Sequence, residues 1–142
     1  MISFEEIRVI TVVYLAVFLP LIIYFKNKDK LPNWAPTFYI VGVVVCSLGW
    51  ELWFSYGWIS GDGVDLRRSE SLNTWLPKDI NWLINSMGDA GTVLLGGTWL
   101  MWVTHKKNQI VFKEWKWSGF CVLLTWCVTQ NILVEMFLYH DQ

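Results

Sequence analysis

Residues 80–103 read INWLINSMGDAGTVLLGGTWLMWV, a long apolar stretch whose one charge, Asp89, lies near its middle. A helix rises about 1.5 Å per residue, so such a stretch can cross a hydrocarbon core of about 30 Å. A carboxylate at that depth costs about 2.5–3.5 kcal/mol on insertion scales, and by default it marks a functional site. Three further apolar segments flank this one, at Ile7–Phe25, Pro36–Trp58 and Trp117–Tyr139. Pro20 falls inside the first, where a membrane helix tolerates it as a local kink. The four segments predict an all-α, integral membrane four-helix bundle: one multi-pass domain over residues 1–142.

Composition agrees with this reading. Hydrophobic residues make up 54% of the chain, above the usage of soluble domains. The 11 tryptophans suit membrane interfaces, where an apolar ring meets water through one polar group. A net charge of −1 gives no footing for nucleic acid. Cys46, Cys121 and Cys127 all fall in apolar segments without a CxxC spacing, and read as small apolar residues. The N-terminal Met-Ile-Ser-Phe-Glu-Glu is acidic, and no small-residue cleavage site follows the first apolar run. That run is expected to stay as a helix rather than leave as a signal peptide.

The connecting segments set an orientation. The first holds Lys26, Lys28 and Lys30, and the third holds Lys106, Lys107, Lys113 and Lys116. A Lys/Arg excess marks cytoplasmic loops, so both termini and the second loop are expected on the outer side. In the second loop Gly61-Asp62-Gly63 reads as a turn. Asp79 reads as the N-cap of the third helix.

Converted to depth, Glu51 lies about 10 Å below the outer surface, Asn85 about 7 Å and Asp89 about 13 Å. Asn131 and Glu135 fall about 12 and 6 Å from the outer end of the last helix. Residues four apart share a helix face. Ser47, Glu51 and Ser55 line up on the second helix. Asn81, Asn85, Asp89 and Thr92 do so on the third, and Cys127, Asn131 and Glu135 on the fourth. These stripes predict one hydrated or ligand-filled pocket open toward the outer surface. Small and polar residues also hold membrane helices together, and Gly42, Cys46, Gly49, Gly91 and Gly97 are assigned to close packing.

No lysine or arginine is expected at the depth of these acids. Crowded carboxylates in a low dielectric cannot all ionise, and an acid beside a carboxylate is a general acid–base pair. Glu51 and Asp89 are the expected catalytic pair. Trp50, Trp53, Asn85, Asn131 and Glu135 are the expected substrate-binding residues, the indoles because aromatic faces attract cations. An acid, a carboxylate and an aromatic wall serve a reaction through a carbocation, in which an alkene or epoxide is protonated and a proton is later removed.

The octapeptide Gly49-Trp50-Glu51-Leu52-Trp53-Phe54-Ser55-Tyr56 resembles the tryptophan–glutamate helix of the membrane-bound terpene cyclases that make meroterpenoids and indole diterpenes. The resemblance implies an acid role for Glu51, with Trp50 beside it and Asp89 as counterpart to an aspartate on a later helix. It covers roughly ten residues of a chain shorter than those cyclases.

Three functions compete. The first is an intramembrane cyclase or isomerase acting on an isoprenoid or other membrane lipid. The second is a non-catalytic small subunit or assembly factor of a larger membrane complex, or a homo-oligomer, that holds a lipid, quinone or pigment. The third is a small ion-coupled carrier, for which no inverted repeat is visible. No cofactor is expected. His105 and His140 lie outside the apolar segments, which disfavours haem, and no His/Cys spacing suits a metal. A hard cation on Glu51, Asp89 and Glu135 is the one ion the residue types would suit. The orientation is checked by cysteine labelling from the outer face of intact cells. A cysteine placed at Asn108 should stay unlabelled, and ready labelling would invert the depth argument.

Overall fold

The computed structural model describes residues 1–57 and 61–136. The expected segment ends at Trp58 and Tyr139, and His140, lie outside them. All regular structure among the described residues is helical.

Helix α1 (Phe4–Asn27) starts in a reciprocal cap. The Ser3 hydroxyl accepts from the Glu6 amide at 3.2 Å, and the Glu6 carboxylate accepts from the Ser3 amide at 2.7 Å. This satisfies two of the amides a helix start leaves free. The other carboxylate oxygen of Glu6 accepts from Ser69 and Ser71, which ties the start of α1 to the segment between the second and third predicted helices.

Helices α2 (Ala35–Leu48) and α3 (Trp50–Tyr56) are bent by 45° at Gly49. A Cβ on Gly49 would sit 2.9 Å from the Val45 carbonyl oxygen, so the bend needs a residue without a side chain. Helix α3 ends on Gly57 at φ 65°, a left-handed conformation that glycine adopts without steric cost. Two short helices follow, α4 (Val64–Arg67) and α5 (Glu70–Trp75).

Helix α6 (Lys78–Ala90) runs through a π-helical turn (Gly91–Leu95) into α7 (Gly96–Thr104). The Gly96 amide donates to the Gly91 carbonyl, the five-residue step that widens this turn. A 3₁₀ turn (Gln109–Phe112) leads to α8 (Trp117–Val134). The α6 N-cap is Pro77, not Asp79. Proline suits a helix start because its fixed φ and missing amide cost nothing there. Asp79 sits in the first turn, where its carboxylate accepts from the Tyr56 hydroxyl at 2.6 Å.

Two helices, α1 and α8, are each long and apolar enough to cross a membrane, and α2 with α3 qualifies only as a bent pair. The third predicted segment is one helical run from Lys78 to Thr104, but it does not qualify by length and composition. Its first half is the most polar of the long helices, and it sits at the centre. Helix α6 packs against α1, α2 and α3. The π turn packs against α1, α2 and α8, and α7 packs against α8.

Small residues permit this crowding. A Cβ on Gly88 would meet Ala16 Cβ at 3.3 Å, and one on Gly42 would meet Ala90 Cβ at 3.2 Å. A Cβ on Gly91 would meet Pro20 Cβ at 3.3 Å and a ring carbon of Tyr39 at 3.5 Å. Pro20 therefore faces the central helix, and its ring cannot swing aside. Gly91→Leu should lower stability by about 1–3 kcal/mol, the usual cost of overpacking. Thermal melting in detergent measures it, and a wild-type midpoint would refute the close approach.

Candidate functional site

The bend at Gly49 turns α3 so that Glu51 and Ser55 point inward. Glu51 is 2% exposed and Ser55 is fully buried. With Ser47, also buried, they form the inward stripe expected from their spacing. The Trp82 indole fixes the facing helix by donating to the Ser47 carbonyl at 2.8 Å.

A hydrogen-bonded chain runs from Glu51 to the second loop. Ser55 Oγ donates to Glu51 Oε2 at 3.3 Å. Asn81 Nδ2 donates to Ser55 Oγ at 3.2 Å. Arg68 Nη1 donates to Asn81 Oδ1 at 3.0 Å. Arg68 is itself held by Asn73, which accepts from Nε at 2.6 Å, and by the Leu76 carbonyl, which accepts from Nη2. Burial pushes the Arg68 pKa below its ordinary value, while the neighbouring Asp65 charge works the other way. A guanidinium keeps its charge under such a shift.

On its other side the Glu51 carboxyl has Asn85 and Asp89 as electrostatic neighbours. Glu51 is enclosed, whereas Asp89 keeps an exposed face. Asn81 and Asn85 also form part of the wall of a cleft of about 510 Å³ between the start of α1, α3 and the α4–α5 segment. The two asparagines therefore stand between the cleft and the carboxyl pair.

The structure brings Glu51, Asn85 and Asp89 together and leaves four other expected site residues elsewhere. Trp50 and Trp53 are 57% and 48% exposed, with ring centroids 4.7 Å apart. They sit on the outer side of α3 because Glu51 and Ser55 take the inner one, and the ring lining the cleft is Phe54. Asn131 is exposed on α8 and Glu135 is exposed at its C-cap. That helix meets the central run lower down, where Trp126 Nε1 donates to the Thr92 carbonyl in the π turn at 2.7 Å. Glu135 is thus not gathered with Glu51 and Asp89. Among the described residues no group of three His, Cys, Asp or Glu side chains is placed to hold a metal ion.

Sequence reasoning missed Arg68. It was expected outside the depth of the acids, yet its guanidinium reaches Asn81 on the central helix. Nothing in the periodicity of an irregular loop signals such a contact. His105 is structural. Its Nδ1–H donates to the Met101 carbonyl at 2.7 Å, which leaves Nε2 to accept from the Ser118 hydroxyl at 2.8 Å and joins α7 to α8.

No protein-family model, curated protein or solved structure gives a significant match to the chain. The site is therefore read from its own geometry.

Asn81 is 3% exposed and links Arg68 to Ser55. Asn81→Leu should cost about 1–3 kcal/mol, because it leaves a buried donor and a buried acceptor unsatisfied. Asn81→Asp should cost less, since it keeps the Arg68 contact. The ratio of the two melting shifts checks the chain, and equal shifts would argue against it.

Proposed function

We propose that the chain is a four-pass membrane protein with both termini outside, and that it is an intramembrane acid–base enzyme of the cyclase or isomerase type acting on an isoprenoid lipid. The observation that carries this reading is the enclosed Glu51 carboxyl with Asp89 as its neighbour, beside a cleft lined by Asn81 and Asn85. Two neighbouring carboxyl groups, one of them enclosed, do not both ionise readily, so the arrangement favours an acid next to a base. Glu51, shielded from water, is the proton donor to an alkene or epoxide. Asp89, with its exposed face, takes a proton from the resulting cation. The proton count closes, and no oxidant or reductant is required. The aromatic shelter assigned to Trp50 and Trp53 passes to Phe54.

Large apolar side chains support the membrane placement. Phe18, Leu19 and Ile22 on α1, and Val44, Val45 and Leu48 on α2, are all exposed. Leu124, Val128 and Ile132 are exposed on α8. Apolar surface on this scale needs lipid or a partner. The central α6–α7 run gains its membrane position from its neighbours, which bury Asn81 and Ser86.

Asn131 and Glu135 favour a second reading. Polar residues exposed on a membrane helix are costly, and a partner helix would cover them. On that reading the chain is a subunit of a larger complex or a homo-oligomer.

The first reading is tested with Glu51→Gln and Asp89→Asn in membranes supplied with polyprenyl alkenes and epoxides. Each change should reduce turnover by about 10²–10⁴-fold, the usual weight of a general acid or base, while detergent melting stays near wild type. Full turnover in both variants would leave the carboxyls as packing groups and end the enzyme reading.

A further inference from the structure

The cleft beside the carboxyl pair has a chemistry of its own. Its wall combines arginines with apolar side chains. Arg8, Arg67 and Arg68 contribute the charge, and Val9, Val13 and Leu72 contribute apolar surface. Two carboxylates, Glu5 and Glu6, also reach it. Glu6 is engaged by Ser3, Ser69 and Ser71.

The arginines are not equivalent. Arg68 spends all three nitrogens on Asn73, Asn81 and Leu76. Arg67 is exposed, and among the described residues its hydrogen bond runs from Nη2 alone to the Phe54 carbonyl. Its guanidinium lies 5.1 Å from the Phe54 ring centroid, which holds it at the rim. Nε and Nη1 are left to donate. Guanidinium donors suit the oxygens of a carboxylate or phosphate.

We infer that the cleft receives the anionic end of an amphiphile, a carboxylate or phosphate monoester on an apolar chain. The anion sits on Arg67, and the chain follows Val9, Val13 and Leu72 toward Asn85. As a statement about substrate class this rests on the acid–base reading of Glu51. As a statement about binding it does not. The apolar part of the wall is what selects an amphiphile over a free anion of the same chemistry.

The test is equilibrium binding to the full chain in phosphatidylcholine nanodiscs, with empty nanodiscs as reference. The probes are farnesyl monophosphate, farnesol and inorganic phosphate. Farnesyl monophosphate should bind at least about tenfold more tightly than farnesol. Arg67→Gln should weaken it roughly ten- to hundredfold, the weight of a charged hydrogen bond. Arg67→Lys should restore part of the loss, and Lys107→Gln, in the opposite loop, should change nothing.

Equal binding of the phosphate and the alcohol would overturn the inference. So would an Arg67→Gln variant that binds as wild type while melting normally. Displacement by inorganic phosphate at comparable concentration would make the site one for a free anion, and the amphiphile would fall. Binding is read without turnover, so this result and the Glu51 result fail separately.

Discussion

A carboxyl group withdrawn from water is costly unless its neighbours satisfy its hydrogen bonds, and the enclosure of Glu51 organises much of this molecule. Ser55 is one helical turn away on the same face and donates to it. Asn81 reaches Ser55 from the central helix, and Arg68 reaches Asn81 from the loop. Each link fixes an element: the bend at Gly49 aims α3 inward, α6 must run beside it, and the α4–α5 segment must pack against both. The hydrogen bonds of Glu6 to Ser69 and Ser71 hold that returning segment against α1.

The same requirement explains why the most polar long helix lies innermost. Asn81, Asn85 and Asp89 would be expensive on a lipid-facing surface. With α1, α2 and α3 around it, α6 turns Asn81 fully inward and Asn85 partly, while Asp89 stays exposed. Such crowding is possible only where side chains are small, and Gly42, Gly88 and Gly91 stand at those contacts. The π turn then rephases the helix, so that α7 presents its glycines to α8 rather than to α1. Its widened ladder offers the Thr92 carbonyl to Trp126.

The site that results has two parts with different access. Glu51 is enclosed, while Asp89 is exposed and the cleft is walled by the start of α1, α3 and the α4–α5 segment. Asn81 and Asn85 belong to both parts. The exposed polar residues of α8 lie outside this arrangement and point to its surroundings instead.

Much of the site was legible in the sequence because helical periodicity is local. Ser47, Glu51 and Ser55 must share a face, as must Asn81, Asn85 and Asp89, and an acid in an apolar helix demands partners. Apolar segment length likewise located the long helices, though not that α2 and α3 would bend or that the central run would be too polar to qualify alone. The positions of Trp50, Trp53, Asn131 and Glu135 were not legible, because depth along a helix says nothing about which side of it a neighbour occupies. Arg68 was invisible for the same reason, since a loop residue reaches its partner through the path of the chain. The sequence by itself determined which residues could share a helix face. Tertiary packing alone decided which faces meet, because that depends on contacts between segments distant in the chain.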